Sequence, residues 1–306
     1  RQPGPCREGL VEQDVFRRHC IRQFTYARKN YAPFSAEIPI LIKNYYEPIF
    51  DFDNLKNNLN SKRYLPGINF NTQQQIEFLK KLEYFDELKK LNLTKNTQNY
   101  NFSIKNNFFE EGDAEIYYSI IRYLKPKSII EIGSGHSSLI ALEAIDKNFK
   151  ADQIKSELLC VEPYENSWLE KKGINVIRKR IEDVQDDLII NLRKNDILFI
   201  DSSHVIKPQG DILKIFLELL PKLNKGVIIH IHDIFSPRDY PSKWLKEENR
   251  FYNEQYLFET IMDHSTRYKI LLSLNLLKND FFEDLKKNCP YLNENSNPSS
   301  VYLEVI

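Results

Sequence analysis

Charge of one sign is the first thing this chain lacks. Lys+Arg 43 balance Asp+Glu 43, and the isoelectric point is about 7.2. No basic face follows from that balance, so neither nucleic acid nor an anionic membrane is an expected partner. No apolar run approaches the ~18 residues of a membrane span, and no charged-then-apolar leader is present. Cysteine is sparse: Cys6, Cys20, Cys160 and Cys289 are too widely spaced for paired metal ligands. Cys160 falls within an apolar strand candidate and is expected as a free buried thiol. The sequons at Asn92 and Asn101 read as chance matches in an Asn-rich chain. A cytoplasmic protein is expected. A leading methionine is also missing. Arg1, Arg7, Arg17, Arg18, Arg22 and Arg28 precede the first lysine, Lys29. Residues 1–28 therefore read as a fragment or mis-joined segment outside the fold, ahead of a basic targeting arm.

What is present suffices for one sizeable core with an appended subdomain across 306 residues. The chain is organised around Ser128-Ile-Ile-Glu-Ile-Gly-Ser-Gly-His-Ser-Ser138. Ile129–Ile132 reads as a buried parallel strand and Leu139–Ile145 as a helix. Gly133-Ser134-Gly135 between them lets the chain turn sharply and a ligand approach the backbone beside a helix N-terminus. Glu131 brings a carboxylate to the strand's end, where an ammonium group could meet it.

Upstream, Asn71 is placed to cap a helix from Thr72 to about Leu91, with Ile76, Leu79, Leu82, Phe85 and Leu88 on one stripe. A second helix runs from about Gly112 to Leu124 and stops before Pro126. Residues 29–111 thus form a helical cap on a domain at 112–306. Downstream, strand candidates Ile129–Gly133, Leu158–Glu162, Asn175–Arg178, Ile197–Asp201 and Val227–His232 alternate with helices. The helices are expected at Ser138–Lys147, Asn166–Lys172, Asp183–Arg193 and Gln209–Leu223. Such alternation calls for an α/β fold, a parallel sheet covered on both faces. A helix near Phe251–Asp263, a strand Tyr268–Leu274, a helix Asp280–Lys287 and a strand Ser300–Val305 then suggest an antiparallel closing pair.

Ligands of open α/β sheets bind beyond the carboxyl ends of the strands. The ends here are polar: Glu131-Ile132-Gly133, Glu162, then Glu182 and Asp183, then Asp201 with Ser202, Ser203 and His204, then His230-Ile231-His232-Asp233. One acidic strand end is ordinary; four on one rim point to a site. Taken together, Glu-Ile-Gly-Ser-Gly at 131–135, the acidic Glu162, Ile-Asp-Ser-Ser-His at 200–204 and His232-Asp233 resemble a class I S-adenosylmethionine-dependent methyltransferase. The nearer resemblance is to the small-molecule methyltransferases of family 24, over roughly residues 60–306.

That resemblance implies a Rossmann-like seven-stranded sheet with an antiparallel last strand. It also implies S-adenosylmethionine over Gly133 and Gly135, with Glu162 on its ribose. Ser134, Ser137, Glu182 and Asp201 complete the expected cofactor contacts; Ser137 stands where many such loops have a third glycine. In catechol-type relatives an Asp after strand four and an Asp-Asn pair after strand five hold a divalent ion. Asp201, His232 and Asp233 occupy the corresponding places, where His for Asp favours a softer ion or none. Asp201, His204 and His232 are the catalytic candidates, either histidine serving as base. Strand period places His230 and His232 on one face and Asp233 on the other, with His230 a core histidine. His136 is expected to cap the following helix. The aromatic loop Ile234–Arg250, continuing to Asn253-Glu254-Gln255-Tyr256, is either an acceptor pocket or an anchored surface loop. The expected reaction is O-methylation of a small molecule or a sugar or glycan hydroxyl, and a homo-oligomer is compatible. A Rossmann-type NAD-dependent oxidoreductase and a silent scaffold protein are the rivals.

Overall fold

The computed structural model describes residues 55–94 and 101–306. The Arg-rich stretch 1–28, Cys6 and Cys20, and the cap region up to residue 54 lie outside the described residues. The single helix expected over 72–91 is two: α1 (Thr72–Leu79) and α2 (Phe85–Leu91). The break lets Leu79, Leu82 and Leu88 all be buried. At the turn the Leu79 and Leu82 carbonyls accept the Leu82 and Tyr84 N–H groups, and the Asn288 side-chain amide adds a second bond to each, at 2.9 and 2.6 Å. Asn71 does not cap with its side chain. It sits in the left-handed region, and its carbonyl accepts the Gln74 and Gln75 N–H groups.

The next helix, α3 (Asp113–Leu124), is buried from Asp113 to Arg122. It ends at Lys125 in the left-handed conformation, just before Pro126. Leu79, Leu82 and Leu88 share one buried cluster with Tyr117, Ile129 and Phe199. The described helices ahead of residue 112 are therefore part of the main core.

Strands and helices then alternate: β1 (Ser128–Ile132), α4 (His136–Asp152), β2 (Glu157–Val161), β3 (Asn175–Ile177), α5 (Asp187–Ile190), β4 (Ile197–Ile200). The helix α6 follows, starting as an α-turn at Asp211–Leu213, widening at Lys214–Leu219 and tightening at Leu220–Lys222. It leads to β5 (Ile228–Ile231). The connection from β2 to β3 is only a tight turn at Glu170–Lys172, and that from β3 to β4 a turn at Ile181–Asp183 with the four-residue α5. Full helices were expected at both places. Beyond β5 come α7 (Ser242–Lys246), α8 (Glu254–His264), β6 (Tyr268–Ser273), α9 (Leu274–Asp280), α10 (Phe282–Lys286) and β7 (Val301–Val305). A helix the sequence reading did not name, α9, starts at once after β6 and buries Leu274, Leu276 and Leu277.

The seven strands form one sheet in the order β3-β2-β1-β4-β5-β7-β6. Neighbours among β1 to β5 are parallel, and β7 runs antiparallel between β5 and β6. This is the Rossmann-like methyltransferase arrangement. Alternate residues of β4 go to opposite sides: Ile197 and Phe199 join one buried cluster, Leu198 and Ile200 the other. A strand buried on both faces has no polar alternation to display, hence the unbroken Ile-Leu-Phe-Ile. Among the described residues no helix is long and apolar enough to cross a membrane. Cys160 and Cys289 are buried free thiols.

Candidate active site

The chain moves outward from β1 through β2 to β3, then returns to place β4 on the other side of β1. The strand ends on either side of that reversal part, leaving a crevice. Backbone bonds carry the ladder to its rim: Gly133 N donates to Val161 O at 3.0 Å and Asp201 N to Ile132 O at 2.8 Å. Gly133 has φ +79, and a Cβ there would lie 1.7 Å from the Asp201 carbonyl oxygen. Only glycine allows the end of β1 to pass so close to the end of β4.

A cleft of about 490 Å³ opens there, lined by Gly133, Glu162, Glu182 and Asp201 among the expected cofactor contacts but not by Ser134 or Gly135. Ser202 and Ser203 of the rim line it too, with Tyr164, Arg180 and Lys207, which the sequence reading had not named. One oxygen of Glu162 accepts from Ser134 N at 3.3 Å, the other from Tyr164 N and Glu165 N at 3.0 and 2.9 Å. These bonds tie the glycine loop to the end of β2.

Glu131 goes elsewhere. It is fully buried, accepts from Tyr117 Oη at 3.1 Å and from the Ser138 hydroxyl, and does not line the cleft. Burial pushes its carboxyl up to about 7, against the pull of the Ser138 and Tyr117 bonds. Ser137 is likewise buried, 3.5 Å from a Glu131 oxygen. His136 is the first residue of α4, not its cap; its ring stacks on Phe108 at 5.7 Å.

At the cleft's inner edge four ionisable side chains meet. Asp201 Oδ1 lies 3.2 Å from His204 Nε2 and 3.3 Å from His232 Nδ1. Asp233 reaches His204 Nε2 at 3.6 Å and His232 Nδ1 at 3.5 Å. Strand alternation would have turned Asp233 away, but β5 has ended at Ile231. Asp233 has φ 60, and that left-handed turn brings its carboxylate back to the histidines' side. Asp201, His204 and Asp233 each offer a ligand atom, all within 4.8 Å of one another. The sequence had placed His232, not His204, in this trio. His232 Nε2 instead points toward Ser299 Oγ at 3.4 Å and Asp113 at 3.7 Å.

Burial opposes charge at every member of the cluster, and the neighbours decide the outcome. His232 and His204 hold Asp201 far below the carboxylate range despite its burial. Asp201 and Glu254 raise His204 well above the ordinary imidazole value, and Asp233 and Asp201 do so for His232. Burial wins at Asp233, whose carboxyl is pushed up. His230 is outside this group. Fully buried, bonded to Ser300 Oγ at 2.8 Å and stacked on Tyr302 at 4.0 Å, it is driven to its neutral form. Asp113 and Glu254 were missed as site residues: both start helices, where an acidic residue is ordinary.

A second pocket, of about 210 Å³, is lined by His232 and Asp233 of the cluster together with Asp113, Phe108, Lys105, Glu111, Asn293, Asn295 and Asn297. Of the two readings of the loop after β5, the contacts favour the anchored one. Phe235 and Tyr240 are buried, with Trp244 packed edge-on to Phe235 at 5.2 Å, so this loop is largely anchored in the structure.

Sheet order and reversal point are those of the Rossmann-like methyltransferase fold. Residues 130–234 match the family model Methyltransf_24, a methyltransferase domain. An uncharacterized protein of Archaeoglobus fulgidus is 31% identical over 135 residues, 42% of this chain and 60% of its own. The chain thus spans about 60% of that relative's length. Among solved structures, the O-methyltransferase TomG from Streptomyces achromogenes in complex with SAM is similar at 12% identity and a TM-score of 0.40, covering 75% of this chain and 89% of that one. An O-methyltransferase from Bacillus cereus in complex with SAH is similar at 12% identity and a TM-score of 0.39, over 75% and 91%.

Proposed function

We propose that this protein is an S-adenosylmethionine-dependent methyltransferase acting on oxygen, with a small polar hydroxyl compound, such as a sugar, as acceptor. One observation supports the reading: the Asp201–His204–His232–Asp233 cluster links a cleft at the sheet's reversal point, which Asp201 lines, to a polar pocket that His232 and Asp233 line. In-line displacement needs a donor and an acceptor held on opposite sides of a reacting corner. S-adenosylmethionine supplies the electrophilic methyl group, on a cationic sulfonium. Gly133 lines the cleft that would take it, and Glu162 and Glu182 offer carboxylates at the β2 and β3 ends of that cleft. The amides of Asn293, Asn295 and Asn297 both donate and accept, which suits a neutral polyhydroxy acceptor.

The hydroxyl proton leaves to His204 or His232, the imidazoles at the corner. Both are drawn to the protonated form by their carboxylates. Base duty therefore requires that part of this negative charge be met by the cationic groups of bound reactants. Asp201, His204 and Asp233 also fit a divalent ion, and the imidazole nitrogen favours one softer than magnesium. Bound there, such an ion would supply Lewis-acid polarisation of the acceptor oxygen.

Separate calorimetric titrations of S-adenosylmethionine and NAD test the reading, followed by methyl transfer to a panel of hydroxyl acceptors. Binding of the former alone, with transfer to oxygen, is the expected result. NAD binding with hydride transfer would establish the oxidoreductase instead, and binding of neither would leave a scaffold.

A further inference from the structure

Glu254 is the first residue of α8 and is fully buried. Its Oε2 lies 2.8 Å from His204 Nδ1, and its Oε1 has no hydrogen-bond partner among the described residues. Burying a carboxylate with one oxygen unmatched costs stability, so packing alone gives no reason for an acid here. Its one close side-chain bond is to His204. The same turn also grips the histidine's backbone. Asn253 N and Glu254 N donate to His204 O at 3.0 and 3.2 Å, and Asn253 Oδ1 accepts from Ile206 N at 2.6 Å. His204 has φ 57, a left-handed conformation uncommon for a side-chain-bearing residue, so these contacts and not a strand fix its direction. The Tyr252 ring lies 4.6 Å from the imidazole.

We propose that Glu254 is a positioning residue for His204. Its carboxylate accepts the Nδ1–H proton, fixes the ring's orientation, and commits Nδ1. Every proton or cation the ring exchanges is then exchanged at Nε2, the atom facing Asp201 at 3.2 Å and Asp233 at 3.6 Å. The inference rests on the proposed methyltransferase reading for its catalytic consequence, but not for the orientation itself. An acid that served only the N-terminus of α8 would leave the ring's tautomer unaffected when neutralised.

The test is nitrogen-15 spectroscopy of the full chain labelled at histidine, with the His204 signals assigned by His204→Gln. Above the pH at which the His204 ring gives up its second proton, wild type should show Nδ1 as the protonated nitrogen and Nε2 as the bare one. Glu254→Ala should lose that preference and Glu254→Gln weaken it. Turnover should fall about tenfold in Glu254→Gln and about a hundredfold in Glu254→Ala, with KM for the methyl donor within about twofold and partial recovery in Glu254→Asp. Unchanged His204 signals in folded Glu254→Ala would overturn the proposal, as would an altered ring with unchanged turnover. Should the alanine variant fail to fold, the isosteric Glu254→Gln gives the same two readings. If wild type methylates no acceptor, altered His204 signals in these variants would still uphold the orienting contact. The missing transfer would then count against the proposed function alone.

Discussion

Asp201 has two imidazoles within 3.3 Å of one oxygen, and it lines the cleft. Asp201→Asn keeps the shape and removes the charge that both histidines depend on. Turnover should fall at least about a hundredfold, measured as methyl transfer under saturating donor. Treating wild type with a chelator distinguishes the cause. A similar fall restored by added metal assigns Asp201 to an ion, whereas no effect assigns it to the histidines. Near-wild-type turnover of Asp201→Asn would sink the corner as the reacting site. Glu162→Ala should weaken S-adenosylmethionine binding by about 1.5–3 kcal/mol in calorimetry, the usual worth of a charge-assisted bond. It should also loosen the glycine loop, because Ser134 N loses its acceptor. Unchanged affinity would place the ribose elsewhere.

Between β1 and β4 the contact is backbone on backbone, and one hydrogen atom in place of a side chain permits it. Gly133→Ala puts a methyl group 1.7 Å from the Asp201 carbonyl oxygen and strains a φ of +79. The strands must separate at the cleft. Strain of this kind costs about 1–3 kcal/mol before any clash is counted, so urea denaturation should show at least that loss. A variant as stable as wild type would mean that the rim is more yielding than this geometry implies. At 71–91 a capping asparagine and a long apolar stripe suggested one helix. The stripe is real, but the helix breaks where Asn288, far along the chain, bonds the Leu79 and Leu82 carbonyls at the turn.

Over the whole molecule, buried ionisable groups set how stability varies with pH. Glu131 has its carboxyl raised from 4.5 to about 7 by burial, so the folded state holds its proton where the unfolded state has released it. Its contribution is full below about 4.5 and is lost as pH rises to about 7. The raised His204 and His232 add stability that is full below the ordinary imidazole value of 6.5 and lost above their folded values. Asp201 has the opposite sign, its contribution lost as pH falls below the ordinary carboxylate value of 3.8. The melting temperature should therefore peak in mild acid and decline toward pH 8. Glu115, buried and raised to about 7 as well, contributes to the same window, so Glu131→Gln should reduce but not abolish the decline between about 4.5 and 7, measured by calorimetry. If the decline persists unchanged in that variant, the Glu131 proton is not its source.

The succession of strands and helices, the glycine turn and the acidic strand ends were legible in the sequence because each follows from local pattern, whereas the order of the strands in the sheet was not. Four apolar residues buried on both faces make a strand, and a strand's end faces solvent and turns polar. The alternation of strands and helices then requires the parallel sheet. What the sequence could not fix was where each carboxylate points. Glu131 and Glu162 both stand at strand ends. Only the packing of Tyr117 and Ser138 draws the first inward, while bonds from Ser134, Tyr164 and Glu165 hold the second at the cleft. Period two sent Asp233 away from the histidines, and a left-handed turn returned it. Asp113 and Glu254 reach the site across 88 and 53 residues of chain from Asp201 (201 − 113 and 254 − 201), a separation no local pattern records. Side-chain direction at the rim depends on contacts between distant segments, and the tertiary structure alone decides those.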